Sequence, residues 1–189
     1  MKKLSTMWGK VVNCGKKLSI FTLSKPFVLS AMKNLLGEFD CKIDAKGRFM
    51  MPSALRRQLG PGDQERFVVN RGFEKNLTLY PESEWLKISR ELNALNLYNK
   101  KNREFVRYFF RGATDLRIDA AGRLLLPGSL LQYGGIDREI VLFAYGNRIE
   151  IWAKQAYEHM MANEPDDFSA LAEEVMGKAM QSSGGEDVS

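Results

Sequence analysis

Two arginines stand out by the residues that precede them. Arg48 ends the run Asp44-Ala45-Lys46-Gly47-Arg48, and Arg123 ends Asp119-Ala120-Ala121-Gly122-Arg123. Gly47 and Gly122 can take a positive φ at little steric cost, which suits a tight turn and a close backbone approach. Asp44 and Asp119 can accept hydrogen bonds from turn amides, or orient the arginine through a charge-assisted pair. A guanidinium at the tip of such a loop is equipped for recognition rather than for bond-making. Its fork fits the O6 and N7 edge of guanine in a major groove, at about 1–3 kcal/mol of discrimination per bidentate pair. Lys46 adds a cation to the first loop that can contact phosphate. Lys42 and Arg117, flanking the two loops, are secondary candidates. A carboxylate near phosphate is repelled, so Asp44 and Asp119 read as structural members of the site. Ala121 stands where the first loop has Lys46, so the second loop carries one positive charge fewer. Contact and assembly both remain open for it. A plainer reading also stays open, in which Asp and Arg only close a turn or a salt bridge between lobes.

The loops lie at the centre of a long internal repeat. The segment from Gly37 to Pro52 returns 75 positions later as Gly112 to Pro127, with Gly, Asp, Ile, Asp-Ala, Gly-Arg and Pro in register. Leu55 matches Leu130, and Gly60 matches Gly135. Further on, Phe67-Val68-Val69 answers Ile140-Val141-Leu142, Leu77 to Tyr80 answers Ile149 to Trp152, and Trp85 answers Tyr157, at a spacing that has drifted to 72. A repeat of this length makes one chain an internal dimer that presents the loop twice.

Each copy reads as strand, turn, short strand, short helix and hairpin. Residues 35–43 alternate as a strand, 44–47 turn, and Phe49-Met50-Met51 reads as a short buried strand ended by Pro52. Pro52 to Gly60 is a short helix with Pro near its start and Gly past its end. Phe67–Asn70 and Leu77–Tyr80 make a hairpin. Pro81 opens a helix over about 81–95, with Trp85, Ile88, Leu92 and Leu95 in one apolar stripe. A basic helix over about 100–110 follows, with Phe105 and Phe109 expected to turn inward. The second copy turns its hairpin at Gly146-Asn147 and continues into a helix over about 153–163. A last helix starts near Asp166 or Asp167 as cap, with Phe168, Leu171, Ala172, Val175, Met176 and Ala179 on one face, suited to packing on a neighbouring lobe or subunit. The expected organisation is a leader over 1–34, repeats over 35–81 and 112–154, helices over 82–111 and 155–181, and a disordered tail over 182–189.

Bulk composition narrows the function classes. The chain of 189 residues has a net charge of +5 and is 44% apolar. Residues 1–34 hold seven lysines and no acid, so the remainder has 21 basic residues against 23 acidic ones. Any nucleic-acid binding must therefore come from local basic patches rather than an overall field. The leader lacks a clean apolar core for a signal peptide, and its apolar pattern is irregular for an amphipathic membrane anchor. Met32 offers an alternative start, which would make the upstream residues a start-site artefact or a disordered arm. Cys14 and Cys41 form no metal or disulfide pattern, and a reduced cytoplasmic setting is the default. His159 has no partner in sequence for a metal or a dyad and reads as exposed. No acid, base and nucleophile cluster can be assembled, so the chain is not expected to be an enzyme or to need a cofactor or metal.

The order strand, Asp-Ala-x-Gly-Arg, strand, Pro, short helix resembles the swapped-hairpin family typified by AbrB. The motif Leu-Gly-Glu-Phe-x-x-x-Ile-Asp-Ala-Lys-Gly-Arg, its tandem copy and the two helices between resemble the MraZ family more closely, over about residues 35–165. That resemblance implies an α+β fold, with two pseudo-symmetric β-hairpin repeats forming a small barrel-like sheet core, two helices between them and further C-terminal helices. It also implies a DNA-binding regulator of transcription with no enzymatic activity. This would be a nucleoid-associated repressor of the division and cell-wall gene cluster containing its own gene, assembled as a homo-oligomeric ring on G-rich direct repeats. Carried onto this chain, the DNA-binding set is Arg48, Lys46, Gly47, Asp44, Arg123, Gly122, Asp119 and Lys42. Stable membrane association is not expected. Two other classes remain open: an architectural nucleoid protein without sequence preference, and an oligomeric scaffold, membrane-associated through residues 1–34.

Overall fold

The computed structural model describes residues 34–60, 62–162 and 167–183, with side chains as far as 177. The expectations for the leader lie outside the described residues apart from Asn34, as do those for 184–189. Ser182 and Ser183, placed in a disordered tail from the sequence, instead end a helix.

Each repeat folds as strand, loop, short strand, short helix, hairpin and a helix pair. The first comprises β1 (Leu35–Lys42), β2 (Arg48–Met50), α1 (Ser53–Gln58), β3 (Arg66–Arg71), β4 (Leu77–Pro81), α2 (Glu82–Asn93) and α3 (Lys100–Phe109). The second comprises β5 (Thr114–Arg117), β6 (Arg123–Leu125), α4 (Gly128–Gly134), β7 (Glu139–Gly146), β8 (Arg148–Ala153), α5 (Lys154–Ala162) and α6 (Phe168–Ser183). Pro52, Pro81 and Pro127 stand at the N-caps of α1, α2 and α4. Their fixed φ and missing N–H cost nothing there.

The repeats exchange their first strands. β1 pairs antiparallel with β7, from Leu35 opposite Gly146 to Lys42 opposite Glu139. β5 pairs with β3, from Thr114 opposite Val69 to Arg117 opposite Arg66. The six-stranded sheet therefore runs β1-β7-β8-β4-β3-β5, an order that reads the same from both ends when the repeats are interchanged. β4 and β8 meet at its centre, with Leu77 opposite Ile151 and Leu79 opposite Ile149. β2 and β6 form a separate two-stranded ribbon. Among the described residues β1 and β5 remain the edges of the sheet. Gln58 covers part of the β1 edge: its Oε1 accepts from Leu36 N–H at 2.8 Å, and its Nε2 donates to Leu36 O at 2.9 Å. An occupied edge is a poor template for stray strand pairing.

Exchange gives both repeats one core. Phe49, Leu55 and Phe67 from the first repeat join Leu124, Leu130 and Ile151 from the second, all almost fully buried. Each of these sites withdraws about 1.5–3 kcal/mol of apolar surface from water. On the outer face of the sheet, α5 closes a second cluster of Val141, Trp152 and Tyr157. α2 begins under Asp63, whose carboxylate accepts from Ser83 N–H at 3.1 Å and Ser83 Oγ–H at 2.8 Å. A buried carboxylate at a helix N-terminus satisfies an otherwise orphaned amide and meets the positive end of the helix dipole. No helix among the described residues is long and apolar enough to cross a membrane.

Two expectations need correction. Phe49-Met50-Met51 is not uniformly buried: Phe49 and Met51 point inward while Met50 is 53% exposed. Side chains alternate across a strand, so a three-residue ribbon strand cannot bury neighbours on one side. On α3, Phe109 turns inward, stacking on Trp85 at 5.9 Å, but Phe105 remains 44% exposed at the rim of a groove.

Candidate nucleic-acid interface

The two loops fold alike. In the first, Gly47 adopts φ 82° and its N–H donates to Asp44 O at 2.9 Å, while Asp44 N–H donates to Arg48 O at 2.8 Å. Asp44 Oδ1 accepts from the N–H groups of Lys46 and Arg48, at 2.9 and 3.0 Å. Asp44 Oδ2 accepts from Arg48 Nε at 2.8 Å and lies 2.7 Å from Nη2. The second loop repeats every bond. Gly122 has φ 81°, Asp119 Oδ1 accepts from Ala121 and Arg123 N–H at 2.9 Å each, and Oδ2 takes Arg123 Nε and Nη2 at 2.8 Å each. Arg48 and its backbone amide, followed by the Lys46 amide, hold the Asp44 carboxyl down at about 2 from an ordinary 3.8. The Asp119 carboxyl is lowered by the amide and then the side chain of Arg123.

This geometry gives each aspartate both roles expected for it, closing the turn and orienting the arginine. It also defines what the arginine has left. A guanidinium has five N–H donors. Two are spent on Oδ2, so the Nη1–Nη2 edge keeps a pair of parallel donors. Arg48 and Arg123 are 27% and 34% exposed, partly sunk but not covered.

The ribbon arranges these groups on one face. Arg48 lies opposite Leu125 and Met50 opposite Arg123, with the buried pair Phe49 and Leu124 between them pointing inward. Alternation puts Arg48, Met50, Arg123 and Leu125 together on the outward face. Met50 and Leu125 are each 53% exposed. The two loops join opposite ends of this short ladder, about 7 Å apart along the strand direction at ~3.4 Å per residue. The glycines make room here. A Cβ on Gly122 would come 3.4 Å from Met50 Sδ, and one on Gly47 would come 3.2 Å from Leu126 O.

Exchange also redistributes the flanking charge. Lys46 of the first loop and Arg117 of the second repeat line one open groove with Leu125 and Pro127, where the one carboxylate, Asp115, pairs with Arg66 at 3.4 Å. Arg56, on α1, reaches the second loop: its Nη1 would lie 3.9 Å from a Cβ on Gly122. The first loop thus has Arg117 near its own Lys46, and the second, which lacks that lysine, has Arg56 beside it. Lys42 is drawn away, 3.4 Å from Glu139 across the β1–β7 ladder. Arg56, Met50 and Leu125 were missed from the sequence. The repeat aligns Arg56 with Leu131, and Met50 and Leu125 look like core residues until the ribbon's facing is known. Cys41 is half-buried, and burial, then Asp40, pushes its thiol up to about 11. His159 is exposed. Among the described residues no group of His, Cys, Asp and Glu is arranged to hold a metal ion.

The model of the MraZ protein family, described as antitoxin-like, matches the chain twice, over residues 35–108 and 109–178. The chain belongs to the MraZ family. Curated relatives named transcriptional regulator MraZ agree across most of their length. The one from Christiangramia forsetii is 48% identical over 147 residues, covering 77% of this chain and 95% of the relative. That from Flavobacterium psychrophilum is 44% identical, with 77% and 94% covered. That from Desulforamulus reducens is 38% identical, with 75% and 96% covered. The family resemblance drawn from the tandem Asp-x-x-Gly-Arg motif is thereby established, as is the mixed helix and strand fold. Membership also agrees with a chain that is not an enzyme.

Proposed function

We propose that this chain is a DNA-binding regulator of transcription that reads the major groove with the outward face of the β2–β6 ribbon. The observation that carries this reading is the presence of two aspartate-held arginines on one face of one ribbon. A two-stranded ribbon is narrow enough to enter a major groove. The free Nη1–Nη2 edges of Arg48 and Arg123 match guanine, and the exposed Met50 and Leu125 between them suit thymine methyls. Gly47 and Gly122 let the loop backbone come close, with Asp44 and Asp119 as buttresses. Lys46, with Arg56 and Arg117, is suited to phosphate, and Lys42 is a weaker member because Glu139 competes for it.

In its finer form the reading is a repressor of the division and cell-wall cluster that includes its own gene, acting in the cytoplasm on nucleoid DNA. One ribbon makes few phosphate contacts and should bind weakly at physiological salt. Several copies in a head-to-tail ring present their ribbons in one sense, which matches direct rather than inverted repeats, and avidity supplies the affinity. Deforming DNA or ring to fit adds a cost of about 1–6 kcal/mol for a moderate smooth bend.

The test is a fluorescence-anisotropy titration of the protein with the G-rich repeat region upstream of its own gene, against scrambled DNA of equal length. Preference for the native repeats, lost in Arg48→Ala, is the expected result. Equal affinity for both DNAs would favour an architectural protein, and no binding to either would favour a scaffold.

A further inference from the structure

The surface beside α3 combines exposed aromatic rings with positive charge. Lys101, Phe105 and Tyr108 stand at i, i+4 and i+7 of α3 and so share one side of the helix. Phe105 is 44% exposed and Tyr108 63%. Phe73, in the turn between β3 and β4, lines a narrow cleft with both and is 80% exposed. Phe105 packs on Phe109 with ring centres 5.9 Å apart, and Phe109 in turn stacks on Trp85. The exposed rings therefore rest on a fixed aromatic base.

Shape limits what this surface can hold. The cleft between the hairpin and α3 has a volume of about 30 Å³, room for roughly one water. Neither an anchoring side chain nor a small molecule fits inside it. What the rings offer is their exposed outer faces, and a flat aromatic group can lie on such faces without a pocket.

Charge limits the ligand further. Residues 71–76 and 100–111 carry seven cations against two acids, in a chain whose residues after 34 are nearly neutral. Of the two acids, Glu104 lies 3.8 Å from Lys100, and Glu74 is exposed beside Phe73. Lys75 sits 5.1 Å over the Tyr133 ring. Lys101 and Arg111 have no ion-pair partner among the described residues. Lys101 is one turn before Phe105, and Arg111 is one turn after Tyr108. A polyanion with flat, stackable groups satisfies both the charge and the rings. Single-stranded nucleic acid is such a ligand, because its bases stack on aromatic side chains whatever their sequence while cations follow its phosphates. A duplex keeps its base faces inside the stack and cannot use the rings.

We propose that this face binds single-stranded DNA, with bases stacked on Phe73, Phe105 and Tyr108 and phosphates met by Lys75, Lys101 and Arg111. It is a second nucleic-acid site, built from α3 and the β3–β4 turn, and it shares no residue with the β2–β6 ribbon. The choice of DNA over RNA rests on the duplex-reading function proposed for the ribbon, whereas the site itself does not.

Fluorescence anisotropy on the full chain tests it, with circular dichroism to check that each variant keeps its fold. The probe is a labelled oligothymidine of about 16 nucleotides, the upper end of ordinary single-strand site sizes. Wild type is expected to bind the strand, more weakly as salt rises. Phe73→Ala with Tyr108→Ala should bind it at least about fivefold more weakly, the effect of losing one stacked base. Phe73→Trp with Tyr108→Trp should keep the wild-type affinity. Arg48→Ala with Arg123→Ala should leave the strand bound, and the alanine pair at Phe73 and Tyr108 should leave the duplex of native repeats bound. A failure of the ribbon reading thus shows in the duplex titration, and a failure of this proposal in the strand titration. A wild type that does not bind the strand would overturn the proposal, as would unchanged binding in the alanine pair. Loss of the strand along with the two arginines would assign it to the ribbon instead. A clear preference for oligouridine over oligothymidine would overturn the assignment to DNA. Sedimentation velocity covers the remaining occupant. An alanine pair that alters the assembly of the free protein would make this face a contact between copies and overturn the proposal.

Discussion

At the scale of single residues, the aspartate decides what the arginine can do. Asp44 consumes Arg48 Nε and one Nη2 proton, which leaves a fork of fixed direction. Lysine cannot reproduce that bidentate arrangement, so Arg48→Lys should lose most of what Arg48→Ala loses, about 5–150-fold in affinity for the native site. Arg123→Ala should fall in the same range, because both arginines share one face. Equal affinities for wild type and Arg123→Ala would confine reading to the first loop. The exposed pair between them predicts a second signature. Replacing thymine by uracil in the bound repeat should weaken wild type several-fold and leave Met50→Ala with Leu125→Ala unaffected, as read by anisotropy. The Asp44 carboxyl is depressed from 3.8 to about 2. Its contribution to loop order is therefore complete above about pH 4 and is lost as pH falls through 2. A carboxyl-carbon NMR titration should give that midpoint in wild type and one nearer 3.8 in Arg48→Ala. DNA affinity between pH 5 and 8 should show no titration from this group.

At the scale of elements, small residues set where helices and strands begin. Asp63 holds the first turn of α2 from a distance of twenty positions in sequence. Asp63→Ala should cost about 1–2 kcal/mol, visible as a lowered denaturation midpoint with an unchanged slope. DNA affinity per folded molecule should not change, because α2 lies on the outer face of the sheet, away from the ribbon. The repeat pattern identified nearly every element, since turn residues and alternation are local signals. It misjudged Met50 and Phe105 for the same reason. Met50 sits within an apolar run and Phe105 on the apolar side of a helix, and which of these residues face the core is fixed by partners distant in the chain.

At the scale of the molecule, strand exchange turns two repeats into one unit and brings Arg117 to the first loop's groove and Arg56 to the second loop. The basic surface is thus assembled across the repeats, although the chain without its leader is nearly neutral. Binding should depend strongly on salt, and Lys46→Ala should reduce the slope of log K against log salt by about 1 while weakening all DNA sequences alike. Affinity should rise with the number of repeats in the probe, as read by anisotropy on probes of one, two and three repeats.

The sequence alone determined the tandem loop, the turn chemistry of its aspartate and glycine, the order of the elements and the family. These depend on residues within a few positions of one another, or on direct comparison of the two copies. Only the tertiary structure decided that both arginines share a face, that Arg56 accompanies the second loop and that Met50 and Leu125 point outward. Each of these follows from which strand pairs with which. Pairing between the repeats is set by burying one common core, and local spacing carries no record of it.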